Sequence, residues 1–250
     1  RVYVNGFARL PVGKCRYGVM LRDDGMVFDD GVTWRIAEDD YLMTATTAHA
    51  AAVLQWLEML LQTRWPDLRV HVASTTDQWA GVAIAGPRAR AAVAGALAEG
   101  DGSAEALPFM GIAHGRLAVA GGSVPVMIAR ISFSGEMAFE VYTPSGFGPA
   151  MWEALRARVE AEGGLAYGLE ALGALRIEKG HVTGAELDGR VTLEDAGLGR
   201  MASSKKDFVG KALMTRPDMA REDRPRLAHF VAEGEEAFSI GAIVCEEGKV

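Results

Sequence analysis

The stretch RISFSGEMAFEVYTPSGFGPAMWEALR, Arg130 to Arg156, most constrains the fold of this chain. Its first half reads as an alternating strand and its second half as an amphipathic helix, so a strand must hand over almost directly to a helix. Phe133, Phe139, Val141 and Tyr142 are strand formers, whereas Glu140 is a poor one. Alternation sends Glu140 and Tyr142 to one face and Phe139 and Val141 to the other. If the apolar pair faces the core, Glu140 is an exposed strand glutamate. If Glu140 is buried instead, it is buried for a purpose, because an unpaired buried charge is costly. A carboxylate in that position can accept two parallel hydrogen bonds from an amino-pyrimidine edge such as that of a pterin, and spacing alone leaves both readings open.

Along the rest of the chain strands and helices alternate in mixed order, which predicts an α+β fold. Cys15 to Ala45 reads as a β-meander around the turn RDDG, and Asp29-Asp30 before Gly31 reads as a turn signal. Thr46 or Thr47 is suited to cap a helix from His49 to Trp65, whose stripe is Val53, Leu54, Trp56, Leu57, Leu60 and Leu61, with Pro66 ending it. Two strands, VHVASTT and WAGVAIAG, are expected over 70–85, then a helix over GPRARAAVAGALAEG. Residues 117–126 and 127–142 read as two further strands, and the glycines of AVAGGSVPV as a hairpin turn rather than a phosphate loop. Helices are predicted over 147–162, stopped by Gly163-Gly164, and over 167–179. A loop-rich section follows. The polar RPDMAREDRPR supplies a linker at 216–225 between a first domain, 1–215, and a second β-rich unit beginning at 226 and cut short at 250. Arg1 in place of Met and a stop just after the strand-like AFSIGAIVC suggest a piece of a larger polypeptide.

Composition narrows the chemistry. With 49% hydrophobic residues in 250, a large core is available. A net charge of −7 and no long basic run argue against nucleic acid as a partner. No apolar run approaches the ~20 residues of a membrane span. Cys15 and Cys245 are too few for a disulfide framework and suit a reducing, cytoplasmic compartment. His49, His71, His114, His181 and His229 show no metal-ligand spacing. There is no G-x-S-x-G and no dinucleotide fingerprint, so neither flavin nor NAD is expected on this segment. Arg176 and Glu178 read as a solvated or salt-bridged helix end.

Seven motifs in order carry a resemblance: LPVGKCRYGVMLRDDGMVFDD, DYLMTAT, VAIAGPRA, RISFSGEMAFEVYTP, YGLEALGALRIEKGH, ELDGRVTLEDAGLGR and KKDFVGKALM. Together they resemble the aminomethyltransferase (glycine-cleavage T-protein) family, above all its branch fused into folate-linked sarcosine and dimethylglycine oxidases. ALRIEKGH and the AGLGR…KKDFVGK pairing point to the C-terminal half of a heterotetrameric sarcosine oxidase α subunit. The resemblance implies a ring-like body of β-rich subdomains around a folate, with 226–250 opening a C-terminal β-barrel. It places Glu140 at the pterin-contacting acid and Phe133 at a tyrosine of the same motif. The implied folate-contacting set is Glu140, Phe133, Arg130, Tyr142, Arg176 and Asp30. Val53 falls where the family carries the acid used in transfer, and Leu172 where it carries a folate-contacting arginine, which argues against lipoyl-linked aminomethyl transfer. The resemblance therefore implies a tetrahydrofolate site that captures a one-carbon unit produced elsewhere, with flavin and NAD in other domains or subunits of an oxidase complex. A non-catalytic scaffold or assembly module of the oxidase complex and a stand-alone aminomethyltransferase of glycine cleavage are the alternatives.

Overall fold

Lys14–Leu21 (β1) and Val27–Arg35 (β2) form an antiparallel hairpin on either side of the expected RDDG turn, in which Gly25 has a positive φ of 87° and Asp24 accepts the Met26 N–H at 2.9 Å. Tyr41–Met43 (β3) completes a three-stranded sheet in the order β1-β2-β3. The computed structural model describes residues 1–100, 103–234, 236, 238–239, 241–243 and 245. Asp29 and Asp30 are not a turn. They lie inside β2, opposite Met20 and Val19, and Gly31 continues the strand because a Cβ there would run into the Thr44 carbonyl.

A second, five-stranded sheet has the order β4-β8-β7-β6-β5, built from Trp79–Ala85 (β4), Leu97–Gly100 (β5), Ile112–Val119 (β6), Gly122–Ala129 (β7) and Ala138–Pro144 (β8). Every pairing in it is antiparallel. The hairpin turn expected at Gly121-Gly122 joins β6 to β7. The predicted strand over 127–142 is two strands, because Gly135, at φ 90°, turns the chain and donates its N–H to Ser132 Oγ at 2.9 Å. VHVASTT forms no strand. Its valine at 70 is exposed and β4 pairs only with β8, so the segment leaves the free edge of β4 unpaired despite its β-propensity. The predicted helix over 86–100 shortens to Ala89–Val93 (α2), since Gly95 adopts φ 61° and the residues after it pair with β6 as β5.

The helices cover the outer faces of the two sheets. Ala50–Thr63 (α1) lies over the three-stranded sheet, where Val53 packs with Tyr3, Met20 and Phe28. Neither Thr46 nor Thr47 caps it through its side chain. Buried Asp29 instead accepts the Thr46 N–H at 3.1 Å. α2 and Gly148–Ala161 (α3) cover the five-stranded sheet through Ile84, Val93, Ile128, Phe139, Val141, Met151 and Leu155. Gly163, at φ 76°, ends α3 as expected. Leu169–Lys179 (α4) stops at left-handed Gly180 and buries none of its own residues. The two sheets meet through Cys15, Trp34, Met127, Ala129 and Tyr142, which yields the layer order helix, sheet, sheet, helices. The loop-rich section 182–208 packs Val182, Leu187, Leu193 and Phe208 against the other half of the β1–β2 hairpin, on Val19, Leu21 and Val27.

The segment expected as a linker is held to this body: Met219 is buried, Arg224 pairs with Asp195, and Leu227 donates its N–H to the Asp195 carbonyl at 2.8 Å. Described residues after 226 form no strand, and the rest of the expected barrel segment lies outside the described residues. No helix among the described residues is long and apolar enough to cross a membrane.

Phe139 is fully buried between the five-stranded sheet and α3. Phe139→Ala should destabilise the protein by about 3–5 kcal/mol, read as a lowered midpoint in chemical denaturation.

Candidate functional site

Strand alternation sends the two adjacent aspartates to opposite sides of the three-stranded sheet. Tyr17, Asp30 and Trp34 point inward to the five-stranded sheet, while Asp29 and Thr33 point outward beneath α1. Val19 pairs with Asp30 and Tyr17 with Val32, so Tyr17 stands diagonally across from Asp30. The Tyr17 hydroxyl donates to Asp30 Oδ2 at 2.7 Å. Burial pushes the Asp30 carboxyl above the usual carboxylate range, the Tyr17 hydrogen bond pulls it back, and the charge of Asp29 adds to the rise. Burial and Asp30 raise the Tyr17 phenol as well. Tyr17 and Asp30 lie at the seam where the hairpin passes from the five-stranded sheet to the loop-rich section.

Glu140 faces the same seam from the other sheet. It shares the inner face of β8 with Tyr142, whose hydroxyl donates to Glu140 Oε2 at 3.0 Å and whose ring meets Trp34 edge-on at 5.2 Å. The apolar pair Phe139 and Val141 does face the α3 core, yet Glu140 is half-buried rather than exposed, because its own side is roofed by the second sheet. Its cross-strand neighbours, Ala83 on β4 and Ala129 on β7, are both small. Among the described residues Glu140 has no cationic partner, and the Tyr142 hydroxyl is its one hydrogen bond. Burial raises its pKa above the usual range. The same carboxylate, after burial, helps push the Cys15 thiol up to about 12.

Phe133 belongs to the seam through His181. The two rings meet edge-on at 4.9 Å, and His181 lies tilted against Tyr17 at 5.7 Å. His181 follows directly on Gly180 at the end of α4 and donates its backbone N–H to the Arg176 carbonyl at 2.8 Å. Arg176 is committed to structure. It pairs with Glu186 at 2.8 Å and donates to the His181 carbonyl at 3.3 Å, while Glu186 also accepts the Thr183 N–H at 2.8 Å. Arg130 is not brought to the seam, since its guanidinium reaches the Leu107 carbonyl at 3.4 Å. Of the six residues anticipated, the structure groups Glu140 with Tyr142 and Asp30 with Phe133 through Tyr17 and His181, and it uses Arg176 to hold that last residue's backbone. Tyr17 and His181 were missed. Tyr17 was legible in principle, since an antiparallel register across RDDG sets it diagonal to Asp30. His181 carries no sequence signal, because its neighbours come from three separate segments.

On the outer side of the sheet, Asp29 is buried and its Oδ1 lies 3.3 Å from His49 Nδ1. Val53 is buried in the apolar layer beneath α1, across the sheet from Asp30. No cluster of metal-ligating side chains occurs among the described residues. A cavity of about 220 Å³ between β4, α3 and residues 165–172, which includes Leu172, lies on the helix side of the sheet and not at the seam.

Because folding raises the Glu140 pKa, its ionisation opposes folding. Stability from this position is greatest below the unfolded glutamate value and falls as pH rises through the folded one. Glu140→Gln should therefore melt higher than wild type at pH 7, and the difference should vanish below about pH 4, checked by thermal melts across that range.

The relatives of the chain carry the same fold. Residues 1–206 match the GCVT N-terminal domain. The chain is 45% identical over 250 residues to the sarcosine oxidase subunit alpha of Rhizobium meliloti, covering 99% of this chain and 25% of that protein. It is 31% identical over 252 residues to the aminomethyltransferase of Streptomyces coelicolor, covering 99% of this chain and 65% of that one. The crystal structure of glycine cleavage system aminomethyltransferase T from Bartonella henselae superposes with a TM-score of 0.64 at 26% identity, over 83% of this chain and 54% of the other. The chain thus spans about a quarter of the length of the oxidase subunit it matches. With its first 206 residues matched, it belongs to the GCVT N-terminal domain family.

Proposed function

We propose that the seam binds tetrahydrofolate. In this reading the chain is the folate-binding segment of a sarcosine oxidase-type enzyme. It captures the one-carbon unit released by oxidation of an N-methyl amine as 5,10-methylenetetrahydrofolate. The observation that carries the proposal is Glu140: a half-buried carboxylate with small neighbours, one tyrosine donor and, among the described residues, no cation. Such a group lowers its free energy by accepting N–H donors, and a pterin presents two of them side by side. The fit extends to the aromatic rings of Tyr142 and Phe133, which suit a flat heterocycle. The similarity to sarcosine oxidase subunit alpha over 99% of the chain supports the oxidase context.

Tetrahydrofolate supplies the two nitrogens that receive the carbon. The residues of the chain do the rest. Glu140 fixes the heterocycle and Tyr142 fixes the Glu140 carboxylate. Asp30, raised above the usual carboxylate range by burial, can hold or release a proton nearer neutrality than an exposed aspartate, with Tyr17 setting its orientation. Val53 lies across the sheet, so a missing acid in α1 does not empty the seam of carboxylates. Holding the acceptor close to the point of release raises its effective concentration against water. Flavin and any NAD belong to other domains or subunits, which are the expected partners.

Glu140→Ala should weaken tetrahydrofolate binding by about 1.5–3 kcal/mol for each charge-assisted hydrogen bond lost, measured by calorimetry on the intact protein. Affinity equal to wild type would remove Glu140 from the site. Given an N-methyl amine and excess tetrahydrofolate, the intact wild-type protein should release less free formaldehyde than Glu140→Ala. Equal release would mean that this domain does not couple oxidation to folate.

A further inference from the structure

His181 is a titratable side chain at the seam to which the folate-binding proposal gives no task. Its imidazole is half-buried, set edge-on to Phe133 at 4.9 Å and against Tyr17 at 5.7 Å, on the side of Tyr17 that leads to Asp30. Among the described residues neither ring nitrogen makes a hydrogen bond, although the backbone around the ring is tightly held. Gly180 is left-handed, the His181 N–H is bonded to the Arg176 carbonyl, and Arg176 donates to the His181 carbonyl. The Lys179 side chain packs where a Cβ on Gly135 would stand, which fixes the end of α4 against the Phe133 loop. A ring fixed on its backbone side, with both nitrogens free at the edge of an aromatic-lined carboxylate site, is placed to exchange a proton with whatever binds there.

Building on the folate reading above, we propose that His181 shuttles a proton between the one-carbon acceptor and the departing amine. In the transfer, the methylene carbon of the iminium forms bonds to two acceptor nitrogens, and its bond to the amine nitrogen breaks. The carbon is neither oxidised nor reduced. The two acceptor nitrogens each lose one proton, and the amine nitrogen, which carries one in the iminium, leaves as an ammonium with three. A neutral imidazole accepts the first of these protons and returns it to the amine. Asp30 is less free to do so, because Tyr17 already donates to it.

The charges around the ring suit this task. Burial lowers the His181 pKa below the ordinary histidine value. Asp30 on β2 and Glu186 in the turn after α4 oppose that change, while Arg176 and Lys179 on α4 add to it. Tyr17 on β1 is neutral, its phenol raised by burial, and the His229 ring lies beside Gly180. Near pH 7 the imidazole is therefore a base.

The test compares wild type, Glu140→Ala and His181→Gln in the intact protein. In wild type, adding tetrahydrofolate should shift the Cε1–H resonance of His181, identified by its loss in His181→Gln, and move its titration midpoint. His181→Gln should keep Glu140-dependent tetrahydrofolate binding within about threefold of wild type. It should lower the transfer rate at saturating tetrahydrofolate by about 10²-fold or more. It should also lose the fall in rate that wild type shows below the His181 midpoint. An unshifted resonance in a protein that binds tetrahydrofolate, or an acid limb that persists in His181→Gln, would assign the proton to Asp30 and overturn this inference alone. If wild type does not bind tetrahydrofolate, the folate reading falls and this inference falls with it.

Discussion

The register of the β1–β2 hairpin decides where the chemistry of this chain can be. Asp29 and Asp30 are neighbours in sequence, yet the pleat sends one beneath α1 and the other into the seam between the two sheets. A slip of one residue would exchange them, and it would also carry Trp34 out of the inter-sheet core and put Thr33 in its place. Three contacts pin the register. The Tyr3 hydroxyl accepts a hydrogen bond from Thr33 at 2.9 Å, Asp29 anchors the start of α1, and Trp34 packs edge-on to Tyr142. Two lie beneath α1 and the third between the sheets, so the positions of Tyr17, Asp30, Glu140 and Tyr142 depend on both faces of the hairpin.

That arrangement sets stability against binding. A half-buried carboxylate without a cation destabilises the fold unless donors arrive from elsewhere, and Glu140 has one donor in Tyr142. Asp29 shows the contrasting solution on the other side of the same sheet, with a backbone N–H and the His49 ring to satisfy it. Asp29 is satisfied by the fold itself, whereas Glu140 keeps acceptor capacity beyond its one tyrosine donor among the described residues. Where a buried polar group stays underpaired in a well-packed body, a functional demand is the usual reason.

The loop-rich section gives the seam its second wall. It has few regular elements, yet Leu187, Leu193 and Phe208 are buried against the hairpin, and Asp195 closes the Thr192 turn and receives Arg224 from beyond the body. The same section begins at His181. A residue at a helix stop, followed by a turn clamped through Glu186 to Arg176, is more precisely held than its lack of secondary structure suggests.

Much of the local structure was legible before the fold. The alternation around Glu140 predicted its shared face with Tyr142, the stripe from Val53 to Leu61 predicted α1, and Gly163 marked a helix end. These are one-dimensional properties, carried by period and by glycine. Three readings failed because pairing overrode propensity. VHVASTT did not pair with the open edge of β4, residues 97–100 found β6, and the two aspartates read as a turn were needed inside β2. The burial of Glu140 and the meeting of Phe133, Tyr17 and His181 depend on which sheet covers which face. The sequence by itself determined which side of its strand each residue takes. Only tertiary packing decided whether that side meets water, a core or the seam between the sheets, because burial is a property of the partner surface and not of the strand.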